Sequence, residues 1–367
     1  MEFLTLKPEA FGLDISDLSL KIAKLKRKRN FFDLTSYGEM EVKPGIVKEG
    51  EIKDEKKLAE VIKEAIKRVK GKKIKTKYVV TSLPEEKSFL QVIQMPKIPK
   101  EDIKSAVVYE AENYIPFPIE QVYLDSWIIP PVYNHLDHYD VLIVAIPKKI
   151  VDPYLSCLKL AGFTPKAFEI ESFSIARVLI KNEVTTSPIL IIDLGATRTS
   201  FIIFSGYSLR FTASIPVSSR GFTNLISKSL NISFEEAERL KIKYGIEERI
   251  RKERRKKKTE RSEIFEALIP ALVDLIQQIK RYLEYYRTHA SHEHLPPNGK
   301  GISKILLCGG GANLKGLPEL LSLELGIPVE YGNPLINIPL EKEELKLADS
   351  LKYTTALGLA LRGITEK

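Results

Sequence analysis

Cysteine is scarce in this sequence. There are two among 367 residues, Cys157 and Cys308, and both sit in apolar stretches. They give no disulfide framework, so a reducing cytosol is the expected compartment. Long apolar runs are also missing, since no segment approaches the roughly 18 residues needed to cross a bilayer. The opening MEFLTLKPEA lacks the basic flank and apolar run of a signal peptide. Any work at a membrane is therefore expected to run through a partner or a surface patch. Metal-ligand clusters are thin: His289, His292 and His294 in THASHEHLPP have no cysteine or second ligand group beside them, which reads as a polar loop. What is present is a soluble composition, 44% hydrophobic and 29% charged with Gly and Pro dispersed, on a chain long enough for two domains.

The charge is uneven. Lys and Arg outnumber Asp and Glu by 57 to 48, and the stretch EERIRKERRKKKTER, Glu247 to Arg261, holds nine basic and four acidic residues. Single-stranded nucleic-acid sites interleave aromatic platforms with their cations, and this run has none, so no nucleic-acid partner is expected. A solvated surface segment is the plain reading of the run. An anionic membrane surface met through Arg249 to Arg261 is the alternative.

Period-two and helical patterns organise the chain. FGLDI, SLKIAKL and NFFDLTSYG read as strands, DEKKLAEVIKEAIKRVK as an amphipathic helix, and TKYVVTSL as a further strand. The order returns after Pro188 with SPILIIDLG, RTSFIIFSG, YSLRFTASIPV and a helix from Gly221 to Leu230, an architectural duplication. Between the halves, a helix from Lys100 to Tyr114 is bounded by prolines. Strands VYLDSWII and DVLIVAIP and a helix PYLSCLKLAG follow, making a small inserted α/β unit. In the second half, Ser233 and Glu236 form a capping box for FEEAERLKIKYG. A long amphipathic helix runs from Ser262 to His289, with Pro270 expected to kink it or mark its start. KILLCGGGANLKGLPELLSLELGIPVEYG then reads as strand, glycine turn, helix and strand.

Each half opens with a strand that ends in an aspartate and a tight turn, at Asp14 and Asp193. Backbone N–H groups in such turns can cradle phosphate oxygens, and the carboxylate can hold a hydrated Mg²⁺. Alone, either aspartate reads equally as a turn cap. The pair, with a later strand–GGG–helix, points to a phosphorylated ligand.

GLDISDLSLK, DLGATRTS, LLCGGGANLKGL and ALGLALR resemble the phosphate 1, phosphate 2, adenosine and connect 2 motifs of the actin-like ATPase superfamily. The spacing and the AERLKIKYG helix resemble the FtsA cell-division family. The stretch PKIPKEDIKSAVVYEAENYIPFPIEQVYLDSWII, with its YIPFP turn, resembles the PilM family of type IV pilus assembly proteins still more closely. The resemblance spans Phe11 to Gly363.

The resemblance implies an α/β, actin-like (ribonuclease H-like) duplicated fold, with a nucleotide cleft between two halves and an inserted small α/β subdomain. Subdomain IA would take 1–85, 166–187 and 341–367, and the inserted, partner-binding IC 86–165. IIA would take 188–225 and 301–340, and IIB, with the basic insertion, 226–300. ATP and Mg²⁺ are the implied ligands. Asp14, Ser16, Asp17 and Lys21 would form the first phosphate turn, and Asp193, Gly195, Thr197 and Thr199 the second. Asp14 and Asp193 would hold Mg²⁺ through water, and Glu171 would orient the attacking water. Glu238 and Lys241 would reach the ribose, and Gly309, Gly310 and Gly311 would let the backbone lie against the adenine. Ser16 stands where the family has Gly, and Asp17 and Leu18 where it has small Ser or Thr. A carboxylate beside a γ-phosphate is repulsive, so binding with at most slow hydrolysis is expected.

The implied function is a cytoplasmic adaptor, peripheral at the inner membrane, in a type IV pilus assembly platform. It would bind the N-terminal cytoplasmic peptide of a PilN-like membrane protein and couple it to the motor. Tyr109, Asn113, Tyr114 and Phe117 are expected to line or flank the groove for that peptide. A filament-forming ATPase of the FtsA kind and a small-molecule kinase are the alternatives, although no acceptor-site base is recognisable.

Overall fold

The computed structural model describes residues 9–29, 31–133, 136–246, 260–296, 299, 301–341 and 345–365. The chain begins with β1 (Phe11–Ile15), β2 (Ser19–Arg27), β3 (Phe32–Glu41), β4 (Val47–Lys48), β5 (Glu51–Ile52), α1 (Glu55–Lys67), β6 (Lys70–Gly71) and β7 (Tyr78–Leu83). The next stretch holds β8 (Phe89–Pro96), α2 (Lys100–Ala111), β9 (Val122–Ile129), β10 (His138–Pro147), α3 (Lys148–Ala161), β11 (Thr164–Ile170) and α4 (Glu171–Leu179). Then come β12 (Thr185–Leu194), β13 (Thr199–Gly206), β14 (Ser208–Ile215), α5 (Ser219–Leu230), α6 (Phe234–Tyr244) and α7 (Glu260–His289). The last are β15 (Lys304–Cys308), α8 (Leu317–Leu325), β16 (Val329–Tyr331), α9 (Leu347–Ser350) and α10 (Thr354–Thr365).

These elements fall into two units. Unit 1 holds Met1–Pro130, Asp137–Glu183 and Asn333–Lys367, and unit 2 holds Pro131–Leu136 and Val184–Gly332. The expected duplication is explicit in their sheets. Unit 1 orders its strands β3-β2-β1-β7-β11, with β6 added at the β3 edge, and unit 2 orders its own β14-β13-β12-β15-β16. In each, the first three strands in sequence are antiparallel neighbours and the next two pair in parallel. Asp14 and Asp193 therefore occupy corresponding places near the C-terminal end of a central strand.

Local chemistry explains most element ends. Asp54 caps α1 by accepting from the Lys57 N–H, and Leu58, Ala59, Ile62 and Ala65 give the helix its buried stripe. Ser233 accepts from the Glu236 N–H to open α6, and Gly162 closes α3 in the left-handed region. α10 packs on β1 and α4 closely enough that a Cβ on Gly358 would stand 2.0 Å from the Ser174 carbonyl oxygen.

Two boundaries differ from expectation, and one open alternative is resolved. α3 starts at Lys148 and carries Pro153 inside it, giving up the backbone bond that an N–H there would make to the Lys149 carbonyl. Its Ile150, Val151, Tyr154, Cys157 and Leu158 join Phe11, Leu13, Leu58 and Ile62 in one core, so it packs with the first subdomain and not with the inserted sheet. Residues 333–340, expected in the second half, belong to unit 1, tied there by Asn337 Nδ2 donating to the carbonyls of Arg177 and Ile180. α7 runs unbroken through Pro270, so that proline does not mark its start. Of the basic run, residues 247–259 lie outside the described residues.

The inserted unit is a three-stranded antiparallel sheet, ordered β8-β10-β9. α2 covers one face of it, with Ile103, Val107 and Ala111 packed on Val122, Val141, Ile143 and Ala145.

Candidate functional site

In unit 1, Asp14 is buried at the end of β1 and accepts a hydrogen bond from Ser82 Oγ at 3.1 Å. Lys21, its cross-strand partner, places Nζ 3.9 Å from Asp14 Oδ2 and donates to Ser19 Oγ at 2.8 Å. Burial raises the Asp14 carboxyl above its ordinary value, and the Lys21 ammonium opposes the shift. The turn between β1 and β2 is closed by the Ser16 N–H and hydroxyl, both donating to the Ser19 carbonyl at 3.0 Å. Ser16 is not among the residues with positive φ, so its departure from glycine carries no backbone strain.

Asp17, expected beside the phosphates, has both carboxylate oxygens engaged by backbone. It accepts from the N–H groups of Glu49 and Gly50 at 3.1 and 2.9 Å, capping the turn between β4 and β5. Glu171 is the first residue of α4. Asp14, Asp17, Glu86 and Glu171 share one locality: after burial itself, their charges push the phenol of the fully buried Tyr154 well above its usual range.

In unit 2, the end of β12 carries Asp193, partly exposed, with Cys308 Sγ donating to its Oδ1 at 3.7 Å. The N–H of Gly195 donates to the Arg198 carbonyl, and the first N–H groups of α5, from Ser219 and Arg220, donate to the carbonyls of Gly195 and Ala196. The turn is thus fastened to the N-terminus of α5, whose first N–H groups are taken up by it and by the Ser218 cap. Thr197 lies half-buried on it. Thr199 does not serve as expected, because it is fully buried and its hydroxyl donates to the Val217 carbonyl at 2.7 Å.

The glycine turn after β15 is needed by its own surroundings. Gly309 has φ +83°, and a Cβ there would lie 2.3 Å from Asp193 Oδ1, while one on Gly311 would meet Leu194 and Ser219. Gly310 lies between them. The absence of a side chain at Gly309 leaves room for the Asp193 carboxylate, a partly exposed oxygen donor of the kind that binds a hydrated Mg²⁺.

Glu238 and Lys241 are brought together, but Lys241 is turned inward. It is 5% exposed, and its ammonium donates to the Ser219 carbonyl, Ser219 Oγ and Thr223 Oγ1 at 2.9, 2.9 and 2.8 Å, with Glu238 Oε2 at 2.8 Å. Burial lowers its pKa, and Glu238 opposes that. Lys241 therefore ties α5 to α6, a role the ribose expectation missed.

Unit 1 also holds a groove of about 550 Å³ between the inserted sheet and the first subdomain. Tyr123, Asp125 and Trp127 of β9 and Val144 and Ile146 of β10 supply one wall, and Phe168 and Phe173 face them. The Trp127 and Phe173 rings stand 5.0 Å apart. Below them, Glu169 is buried and clamped bidentately by Arg177, with Arg362 Nη1 at 3.5 Å. None of Tyr109, Asn113, Tyr114 and Phe117 lines this groove. α2 covers the opposite face of the sheet, and Tyr109, 76% exposed, points away from its own core. The signal that could have found the groove is in VYLDSWII, whose odd-numbered residues put Tyr123 and Trp127 on the face that α2 leaves uncovered.

A family profile described as type IV pilus assembly protein PilM matches residues 12–364. A solved PilM–PilN type IV pilus biogenesis complex is 29% identical with a TM-score of 0.79, covering 98% of this chain and 100% of that one. FtsA of Pseudomonas aeruginosa is 24% identical over 226 residues, covering 58% of this chain and 50% of that protein. FtsA of Helicobacter pylori is 30% identical over 209 residues, covering 52% and 40%. The chain thus spans half or less of the length of these curated relatives. MreB5 of Spiroplasma citri bound to ADP, 15% identical with a TM-score of 0.55 over 97% of this chain and 96% of that one, shares the fold. The architecture is the actin-like duplicated fold.

Proposed function

Because this chain belongs to the PilM family of type IV pilus assembly proteins, we propose that it is an ATP-holding adaptor at the cytoplasmic side of an inner-membrane pilus platform. It takes the N-terminal cytoplasmic peptide of a PilN-like membrane protein into the unit 1 groove and links that protein to the motor. The observation that carries this reading is the groove itself: open aromatic walls over a buried Glu169 held by the partly exposed Arg177 and Arg362. Such a cleft suits an extended apolar segment anchored by side-chain pockets. The solved PilM–PilN complex, alike over nearly the whole chain, supports the choice of occupant. No helix among the described residues is long and apolar enough to cross a membrane, so a membrane partner supplies the anchorage in this reading. The basic run at 249–261 is a second, electrostatic contact with anionic lipid.

Mg-ATP is the proposed nucleotide. Asp193 and the turn at Gly195 and Thr197 hold the metal's water shell and the phosphates, and the glycine turn at 309–311 receives the adenine. Asp14 and Lys21 form the corresponding turn of unit 1. Bound Mg²⁺ supplies charge neutralisation at the phosphates. ATP acts here chiefly as a conformational ligand, with slow hydrolysis at most. One short helix supports that role: α4 begins with Glu171 in the carboxylate group around Tyr154, and its Phe173 and Arg177 line the groove. Nucleotide and peptide affinities must then be coupled reciprocally.

Titration calorimetry tests the reading. Asp193→Ala is expected to lose Mg-ATP binding and keep the peptide, and Trp127→Ala to lose the peptide and keep Mg-ATP. An unchanged peptide affinity in Trp127→Ala removes the groove assignment. An unchanged peptide affinity at saturating ATP removes the coupling.

A further inference from the structure

We propose that unit 1 docks directly on the anionic phospholipid of a bilayer, through a basic face built by the β2–β3 turn and the segment between β6 and β7. The proposal takes from the reading above only that a membrane is near, and the face is separate from the basic run at 247–261.

Two basic stretches far apart in sequence meet here. Lys26 and Arg27 end β2, Lys28 and Arg29 follow them into the turn, and all four are exposed. Lys70, Lys72, Lys73, Lys75 and Lys77, also exposed, lie on β6 and on the chain that leads to β7. β6 pairs with β3 at Ser36 and Tyr37. Beyond it the Lys72 N–H donates to the Thr35 carbonyl at 2.7 Å, and Thr76 Oγ1 donates to the Glu9 carbonyl at 2.7 Å. The segment therefore passes the end of the sheet where β1 begins and β2 runs out. Asp33 joins the two stretches, 3.9 Å from Lys28 Nζ and 3.6 Å from Lys72 Nζ. Asp14 stands toward the other end of β1, so a surface bound here leaves the β1–β2 turn open.

The charge at this end is uncompensated. Glu9, Asp33 and Glu341 take up Lys24, Lys28 and Lys72. Among the described residues, Lys26, Arg27, Arg29, Lys73, Lys75 and Lys77 have no carboxylate partner. Such a set repels itself and attracts an extended anionic surface.

Apolar anchors select which surface. Phe31, 48% exposed, lies in the turn, whose Lys28 N–H donates to the Phe31 carbonyl at 2.8 Å. Phe32 behind it is pinned by its N–H to the Pro339 carbonyl at 2.9 Å, which fixes the turn against the rest of unit 1. Tyr78, 38% exposed, adjoins Lys77 at the start of β7. β3 and β7 are three strand spacings apart in the sheet, about 14 Å. That is too far for two rings to stack neighbouring bases, and it suits two anchors on one plane. Aromatic rings among lysines and arginines match the headgroup level of a bilayer, where rings enter the acyl boundary and cations meet phosphates.

The test is co-sedimentation of the full chain with vesicles of phosphatidylcholine, alone or mixed with phosphatidylglycerol. The wild type is expected to bind only the mixed vesicles and to leave them as salt rises. At roughly fivefold per cation, Lys73→Gln, Lys75→Gln and Lys77→Gln together should weaken that binding about a hundredfold. Phe31→Ala should weaken it roughly three- to tenfold. These side chains are exposed, so melting temperature and Mg-ATP affinity should stay at the wild-type values. Equal binding to both kinds of vesicle, or binding to neither, overturns the proposal. So does a triple variant that binds like the wild type, which would leave the lipid contact to the run at 247–261. Tighter binding to a single-stranded oligonucleotide than to the mixed vesicles also overturns it and gives the face to nucleic acid. A wild type that binds the mixed vesicles and not the PilN-like peptide supports the lipid face while the groove reading fails.

Discussion

Replacing Lys241 with methionine separates two roles for one residue, ribose ligand and internal tie. Methionine keeps the length and apolar stem and removes the charge. The wild-type ammonium has three protons and four acceptors within 2.9 Å: the Ser219 carbonyl, Ser219 Oγ, Thr223 Oγ1 and Glu238 Oε2. Stripping one partner from a buried ion pair costs about 3–5 kcal/mol, mostly because the remaining charge is stranded. Here the Glu238 side chain is 37% exposed and can recover water, which puts the loss at the lower end, about 3 kcal/mol. At roughly 2–4 °C per kcal/mol for a folding unit the size of unit 2, the transition that unfolds it should fall by about 6–12 °C. Calorimetric melting measures it, and Lys241→Met with Glu238→Gln should recover part of the loss. The reasoning is refuted if Lys241→Met melts with the wild type and loses only Mg-ATP affinity, since the ammonium would then be reserved for the ligand.

Other outcomes follow from the same geometry. Gly309→Ala must hold an alanine at φ +83° with its Cβ against Asp193, so Mg-ATP affinity should drop at least about tenfold by calorimetry. An unchanged affinity would place the metal elsewhere. Asp17→Ala removes the acceptor of two backbone N–H groups and should cost about 1–2 kcal/mol by denaturant titration without tightening Mg-ATP; tighter binding would restore the repulsive carboxylate. Burial pushes the Cys157 thiol up to about 12 from 9.0, so the native state keeps a proton that the unfolded chain releases. Its contribution to stability is full below pH 9.0 and is lost as pH rises toward 12, and Cys157→Ala should flatten that stretch of the stability profile. A slope unaltered by the substitution would assign the loss to other groups.

Much of the fold was legible because strand and helix periods are local. The alternation in FGLDI and SPILIIDLG, the caps at Asp54 and Ser233 and the stops at Gly162 and Gly309 act within a few residues, so sequence alone located the duplicated halves, Asp14, Asp193 and the glycine turn. It also brought out the inserted unit through its prolines and alternating strands. What the sequence could not decide is which surfaces meet. α3 is contiguous with the inserted sheet yet buries its stripe on α1, because that is where Leu58 and Ile62 leave apolar area uncovered. Asp17, Thr199 and Lys241 have the residue types of a nucleotide site, and their polar atoms are satisfied by Gly50, Val217 and Ser219, contacts fixed only when distant segments pack. The groove is the same lesson. α2 can cover one face of the three-stranded sheet, so tertiary packing, and not the exposed aromatics of the helix, placed Trp127 opposite Phe173 and left the β9 edge open.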